Sequence, residues 1–125
     1  MAERRVLIMA KKIMIVDDDP NIVTYLEDFL GDNGYDTCSA SDGSDAMAVV
    51  KKENPDLITL DLEMPEEWGP RFYRKLMKEN EFKKTPVIVI TGLTGGKYAI
   101  QKAVASLTKP FDRDELLRIV KDTIG

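Results

Sequence analysis

The sequence predicts an α/β fold, a doubly wound parallel sheet with helices on both faces. Three observations predict it: short apolar runs that stop at polar residues, helix-period stretches with their own cap residues between those runs, and five repeats of this strand–helix alternation in 125 residues. That length leaves room for a single domain.

Lys11-Lys12-Ile13-Met14-Ile15-Val16 is the first strand, and it ends at Asp17-Asp18-Asp19 as a buried strand does on reaching a polar surface. Asp19 and Pro20 read as the cap and first residue of a helix whose apolar stripe is Ile22, Val23, Leu26, Phe29 and Leu30, closing before Gly31. Tyr35 to Ala40 is a weaker second strand. Asp42-Gly43 then opens a helix with Ala46, Met47, Val49 and Val50 on its buried side, and Asn54-Pro55 closes it. Leu57-Ile58-Thr59-Leu60 runs into Asp61 as a third strand. Gly69-Pro70 starts the next helix, with Phe72, Tyr73, Leu76 and Met77 as its stripe. Val87-Ile88-Val89-Ile90 is the fourth strand, ending at Thr91-Gly92. A short helix over about Lys97 to Val104 and a strand over Ser106 to Thr108 lead to Lys109-Pro110-Phe111. The last helix opens with Asp112 and Glu115 as a capping box and turns Leu116, Leu117, Val120 and Ile124 inward.

Composition narrows the chemistry. Hydrophobic residues make up 43% and charged residues 32%, as in ordinary globular proteins, and no apolar run approaches the length of a bilayer span. The expected location is the cytoplasm. Cys38 is the only cysteine and there is no histidine, which excludes an internal disulfide, cysteine–histidine zinc sites, serine–histidine triads and a histidine kinase activity of the chain's own. The net charge of −4 conceals a stretch from Ile13 to Val50 with nine acids and no Lys or Arg. A basic nucleic-acid footprint is missing there, and so many carboxylates call for a cation.

In open parallel sheets the reactive groups gather beyond the carboxyl ends of the strands. Those ends carry Asp17, Asp18 and Asp19, then Asp61, Thr91 and Lys109. Clustered carboxylates stay ionised together when a hard divalent ion takes their charge, and a small oxygen site with few carboxylates suits Mg²⁺. A hydroxyl and an ammonium beside such an ion make a pocket for a phosphoryl group.

These strings, Val16-Asp17-Asp18-Asp19-Pro20, Leu60-Asp61-Leu62-Glu63-Met64-Pro65 with Gly69 behind it, Ile90-Thr91-Gly92 and Leu107-Thr108-Lys109-Pro110-Phe111, occur in an order that resembles the receiver domain of two-component response regulators over about residues 11–124. The resemblance implies a flavodoxin-like, receiver-type sheet in strand order 2-1-3-4-5, with residues 1–10 as an N-terminal extension and 11–125 as the receiver domain. It implies that Asp61 is the phosphoacceptor, taking its phosphoryl group from a sensor histidine kinase or a histidine phosphotransfer protein. Asp17, Asp18, Asp61 and the backbone carbonyl of Glu63 would hold Mg²⁺, while Thr91 and Lys109 would bind phosphoryl oxygens. The Lys109–Pro110 bond would be cis. Such a domain signals to a downstream protein and promotes only its own phosphorylation and dephosphorylation; neither nucleic acid nor membrane is an expected partner.

Three features depart from the family. Ser106 stands where receivers usually carry an inward-turning aromatic, the Thr91–Lys109 interval of 17 residues is short, and Trp68 precedes Gly69 in place of a small acidic residue. Ser106 and the short interval support an alternative, a phosphorylation-independent interaction domain. A small aspartate-nucleophile phosphatase is a further alternative, on Asp17-Asp18-Asp19 after an apolar strand. Asn21 stands where that family's first motif wants Thr or Val, and the chain is short for its catalytic domain. Asp19 reads more simply as a helix cap than as a metal ligand, because Pro20 follows it. Thr94-Gly95-Gly96-Lys97 fails as a phosphate loop, since Thr91 replaces its first glycine and Tyr98 its final hydroxyl.

Overall fold

The structure, a computed structural model, describes residues 10–63, 69–92 and 102–125. Five strands, β1 (Lys12–Val16), β2 (Asp36–Ala40), β3 (Leu57–Leu60), β4 (Val87–Thr91) and β5 (Ala105–Thr108), form one parallel sheet in the order β2-β1-β3-β4-β5. The described residues hold four helices, α1 (Pro20–Asp32), α2 (Gly43–Glu53), α3 (Gly69–Met77) and α4 (Arg113–Ile124).

Successive strand residues point to opposite faces, and each face has its own core. Met14, Val16, Ile58, Leu60 and Val89 pack with Ala46 and Val50 of α2 and Phe72 and Leu76 of α3. Ile13, Ile15, Leu57, Ile88 and Ile90 pack on the other side with Leu26 and Leu30 of α1 and Leu116 and Val120 of α4. Cover on both faces is why β1, β3 and β4 read as unbroken apolar runs. The edge strands β2 and β5 are only partly buried, which is why β2 looks weak in the sequence.

Helix starts fall where the capping residues place them. Asp19 accepts from Asn21 N–H at 2.9 Å with Pro20 behind it, Asp42 accepts from Asp45 N–H at 2.8 Å, and Asp112 accepts from Asp114 N–H at 2.8 Å. At the end of α2, Asn54 takes the left-handed conformation at φ 46° before Pro55. The end of the first helix differs from expectation. Helix α1 runs through Gly31 to Asp32, and the chain reverses at Gly34, whose φ is +94°. A helical glycine costs only about 1 kcal/mol relative to alanine, whereas the left-handed turn that follows suits a residue without a Cβ.

Strand β5 begins one residue earlier than expected, at Ala105. Of the helix expected over Lys97–Val104, residues 97–101 lie outside the described residues and Lys102–Val104 are non-helical chain leading into β5. Trp68, Leu93 and Tyr98 also lie outside them. The Lys109–Pro110 peptide is cis.

Candidate functional site

Parallel register brings the four strand ends to one edge of the sheet. Asp61 N–H donates to Val16 O at 2.9 Å, placing Asp61 beside the end of β1, and Lys109 N–H donates to Thr91 O at 2.9 Å, placing Lys109 beside the end of β4. Asp17, Asp61 and Thr91 are all buried, at 3%, 4% and 1% exposure, a degree of burial that polar groups sustain only with partners.

Lys109 Nζ donates to Asp17 Oδ2 at 2.8 Å and lies 3.5 Å from Asp61 Oδ2. Asp17 Oδ1 accepts from Asp19 N–H at 2.9 Å, and Asp61 Oδ1 accepts from Glu63 N–H at 3.1 Å. Burial pushes the Asp17 carboxyl above its ordinary range, and the Lys109 ammonium with the Asp19 N–H only partly offsets this. Burial pulls in the opposite direction on Lys109, where the carboxylates of Asp17 and Asp61 outweigh it and hold the ammonium above its usual value. The lysine is therefore a fixed positive charge at neutral pH.

Carboxylate oxygens of Asp17, Asp18 and Asp61 lie within 4.8 Å of one another. Three hard, anionic oxygens so close form a donor set suited to a small divalent cation. A cleft of about 330 Å³ opens over them, lined by Asp18, Asp19, Asp61, Glu63, Gly92 and Lys109. Asp19 reaches this cleft while its carboxylate caps α1, consistent with its reading as a cap.

One residue that shapes the site reads in the sequence as a helix start and as part of the motif behind Asp61, without its closeness to Asp61 being visible. A Cβ on Gly69 would meet Asp61 O at 2.6 Å and Leu62 Cα at 2.7 Å, so the start of α3 rests directly on the backbone that carries Asp61. Gly69 N–H also donates to Leu62 O at 3.3 Å. A glycine before a helix-opening proline, at fixed spacing from Asp61, was the available signal.

The sequence matches the response regulator receiver domain over residues 13–121. The chain belongs to the receiver domain family. It is 36% identical over 112 residues to Protein Rrf1 of Nitratidesulfovibrio vulgaris, covering 90% of this chain and 81% of that protein. It is 29% identical, with a TM-score of 0.84 and coverage of 94% and 99%, to the receiver domain of a sensor histidine kinase from Pseudomonas aeruginosa PAO1, whose structure has a magnesium ion coordinated in the active site cleft. The response regulator TrrA of Thermotoga maritima, solved with Mg²⁺ and beryllofluoride, is 31% identical with a TM-score of 0.82 and coverage of 91% and 99%.

The receiver is a phosphoacceptor module of two-component signal transduction, and membership of the family does not favour the phosphatase or the phosphorylation-independent alternative. The Pseudomonas receiver above and a 30% identical neighbour from Syntrophus aciditrophicus are both receiver domains of histidine kinases. No helix among the described residues is long and apolar enough to cross a membrane.

Proposed function

We propose that this receiver takes a phosphoryl group onto Asp61 from the phosphohistidine of a sensor histidine kinase or histidine phosphotransfer protein, in the cytoplasm, and signals the change to a downstream protein. Residues 11–125 act as the receiver unit, preceded by 1–10 as an extension. The observation that carries the reading is the Lys109 ammonium bridging Asp17 and Asp61 at the rim of a three-carboxylate cluster.

In this reading an Asp61 carboxylate oxygen attacks phosphorus in line, the P–N bond breaks with its electron pair staying on the imidazole nitrogen, and an acyl phosphate forms. The transition state spreads charge over the equatorial oxygens, so fixed positive charge and alignment do most of the work. Lys109 pairs with one of those oxygens and the Thr91 hydroxyl donates to another. The Glu63 N–H, already on Asp61 Oδ1, steadies the attacking carboxylate. Asp17, Asp18, Asp61 and the backbone carbonyl of Glu63 would hold Mg²⁺, the ion present in both solved relatives described above. When bound it supplies positive charge against the developing phosphoryl charge. The chain catalyses only its own phosphorylation and dephosphorylation.

Incubation with acetyl phosphate and Mg²⁺, followed by intact-mass measurement, tests this. Wild type should gain one phosphate, about 80 Da, and Asp61→Asn none. An equal gain in the variant, or none in wild type, would remove Asp61 from the role.

A further inference from the structure

At the amino-terminal ends of β4 and β5, the opposite edge of the sheet from Asp61, a cleft of about 470 Å³ opens between α3, the loop into β4 and the approach to β5. Its apolar lining comes from Tyr73 and Met77 of α3 together with Val87 and Val104. Val104 is 47% exposed, an unusual state for a large aliphatic side chain among the described residues. Lys83, Lys84 and Lys102 also line the cleft, all exposed, and none has a carboxylate partner among the described residues.

The local charge is the reverse of the whole. From Gly69 to Thr85 six basic residues stand against two acidic ones, a net of +4, in a chain whose total is −4. The walls are built before any ligand arrives: Val104 N–H donates to Val87 O at 2.8 Å, Thr85 N–H donates to Phe82 O at 2.9 Å, and Phe82 is buried. A preformed cleft spares a ligand the cost of ordering it.

We propose that this cleft docks a short acidic segment of a partner protein, one aliphatic side chain seated against Met77 and Val104 and flanking carboxylates paired with Lys83, Lys84 and Lys102. A cleft of about 470 Å³ is the size of a site for a few side chains of a ligand. An aliphatic floor ringed by ammoniums matches a segment that is apolar at its centre and anionic at its edges. A nucleic acid would meet the strongly acidic Ile13–Val50 segment of the same small molecule. The chain's own Val6-Leu7-Ile8 follows Arg4-Arg5, whose charge the lysines repel.

The test is fluorescence anisotropy with a labelled peptide of alternating glutamate and leucine, and with its glutamine counterpart. Wild type should bind the glutamate peptide saturably and weaken steeply with salt, because exposed ion pairs are screened. Binding should fall about tenfold or more for the glutamine peptide, for the double variant Lys83→Glu with Lys84→Glu, and for Val104→Ser, with circular dichroism confirming that the variants fold. Absent saturable binding, equal affinity in the variants, or stronger binding of a single-stranded oligonucleotide would overturn the proposal. So would a dimer in sedimentation that the double lysine variant abolishes, since the occupant would then be a second copy of the chain.

Discussion

Asp18 and Lys109 act with opposite sign on the same few cubic ångströms. Lys109 neutralises part of the charge on Asp17 and Asp61, while the exposed Asp18 adds a third carboxylate within 4.8 Å of theirs. Like charges at that separation repel by about 1 kcal/mol even at the dielectric of water. Without a divalent ion, Asp18→Asn should therefore melt a few degrees above wild type. Wild type should gain from Mg²⁺ as a native-state ligand, about 2.7 kcal/mol at a hundredfold excess over Kd, and the variant should lose most of that gain. Thermal melts with and without Mg²⁺ check both halves; a variant that kept the full gain would place the ion elsewhere. Asp42 provides a residue-level test away from the site. The Asp45 N–H and the Ser44 hydroxyl hold its carboxyl below the usual range, so its charged form is favoured in the folded state. Its stabilisation is present above the unfolded carboxyl pKa of about 4 and disappears as pH falls through the lower folded value. Asp42→Ala should melt below wild type at pH 7, with the difference narrowing towards pH 3.

At the scale of elements, the contact between α3 and the Asp61 backbone sets where the proposed phosphoacceptor stands. Gly69→Ala puts a methyl group 2.6 Å from Asp61 O, and what it meets is backbone, which cannot swing aside as a flexible side chain does. Overpacking of this kind costs about 1–3 kcal/mol, and it shifts the strand end that carries Asp61. The expected outcome is a lower melting temperature together with slower phosphorylation by acetyl phosphate; loss of stability at an unchanged rate would mean that the strain is absorbed by α3. The same contact shows what sequence reading misses. Asp17, Asp61 and Thr91 were legible because each is a polar residue at the end of an apolar run, and their strands were legible because both faces are covered. Gly69 reads as a helix start and as part of the motif behind Asp61, but its closeness to Asp61 O arises from how α3 seats on the sheet. The ion pair between Lys109 and Asp17 spans 92 positions of sequence and depends on the strand order, which a local pattern does not specify. Gly31 misled for a local reason: a helix tolerates a glycine in its exposed last turn when the reversal is made further on, at Gly34.

For the molecule as a whole, the question is how a change at Asp61 reaches a distant surface. Ser106 is exposed on the edge strand β5 and has no ring to bury, so the rotation of an aromatic at that position is not available to transmit the state. In sequence, the sole tryptophan, Trp68, stands seven residues after Asp61, and Gly92 directly follows Thr91. Under the proposed function, a phosphoryl group would replace one negative charge on Asp61 with about two and add acceptor oxygens, a change that acts first on Lys109, whose Nζ lies 3.5 Å from Asp61 Oδ2. Lys109 N–H is bonded to Thr91 O at the end of β4, and Glu63 N–H to Asp61 Oδ1 just beyond β3, so the chain leaving each strand starts from a group in contact with the site. Beryllofluoride with Mg²⁺ should therefore alter Trp68 emission in wild type and leave it unaltered in Asp61→Asn, while Ser106→Ala should respond as wild type does. A Ser106→Ala protein that still accepts phosphate but no longer changes its emission would show that β5 carries the signal after all.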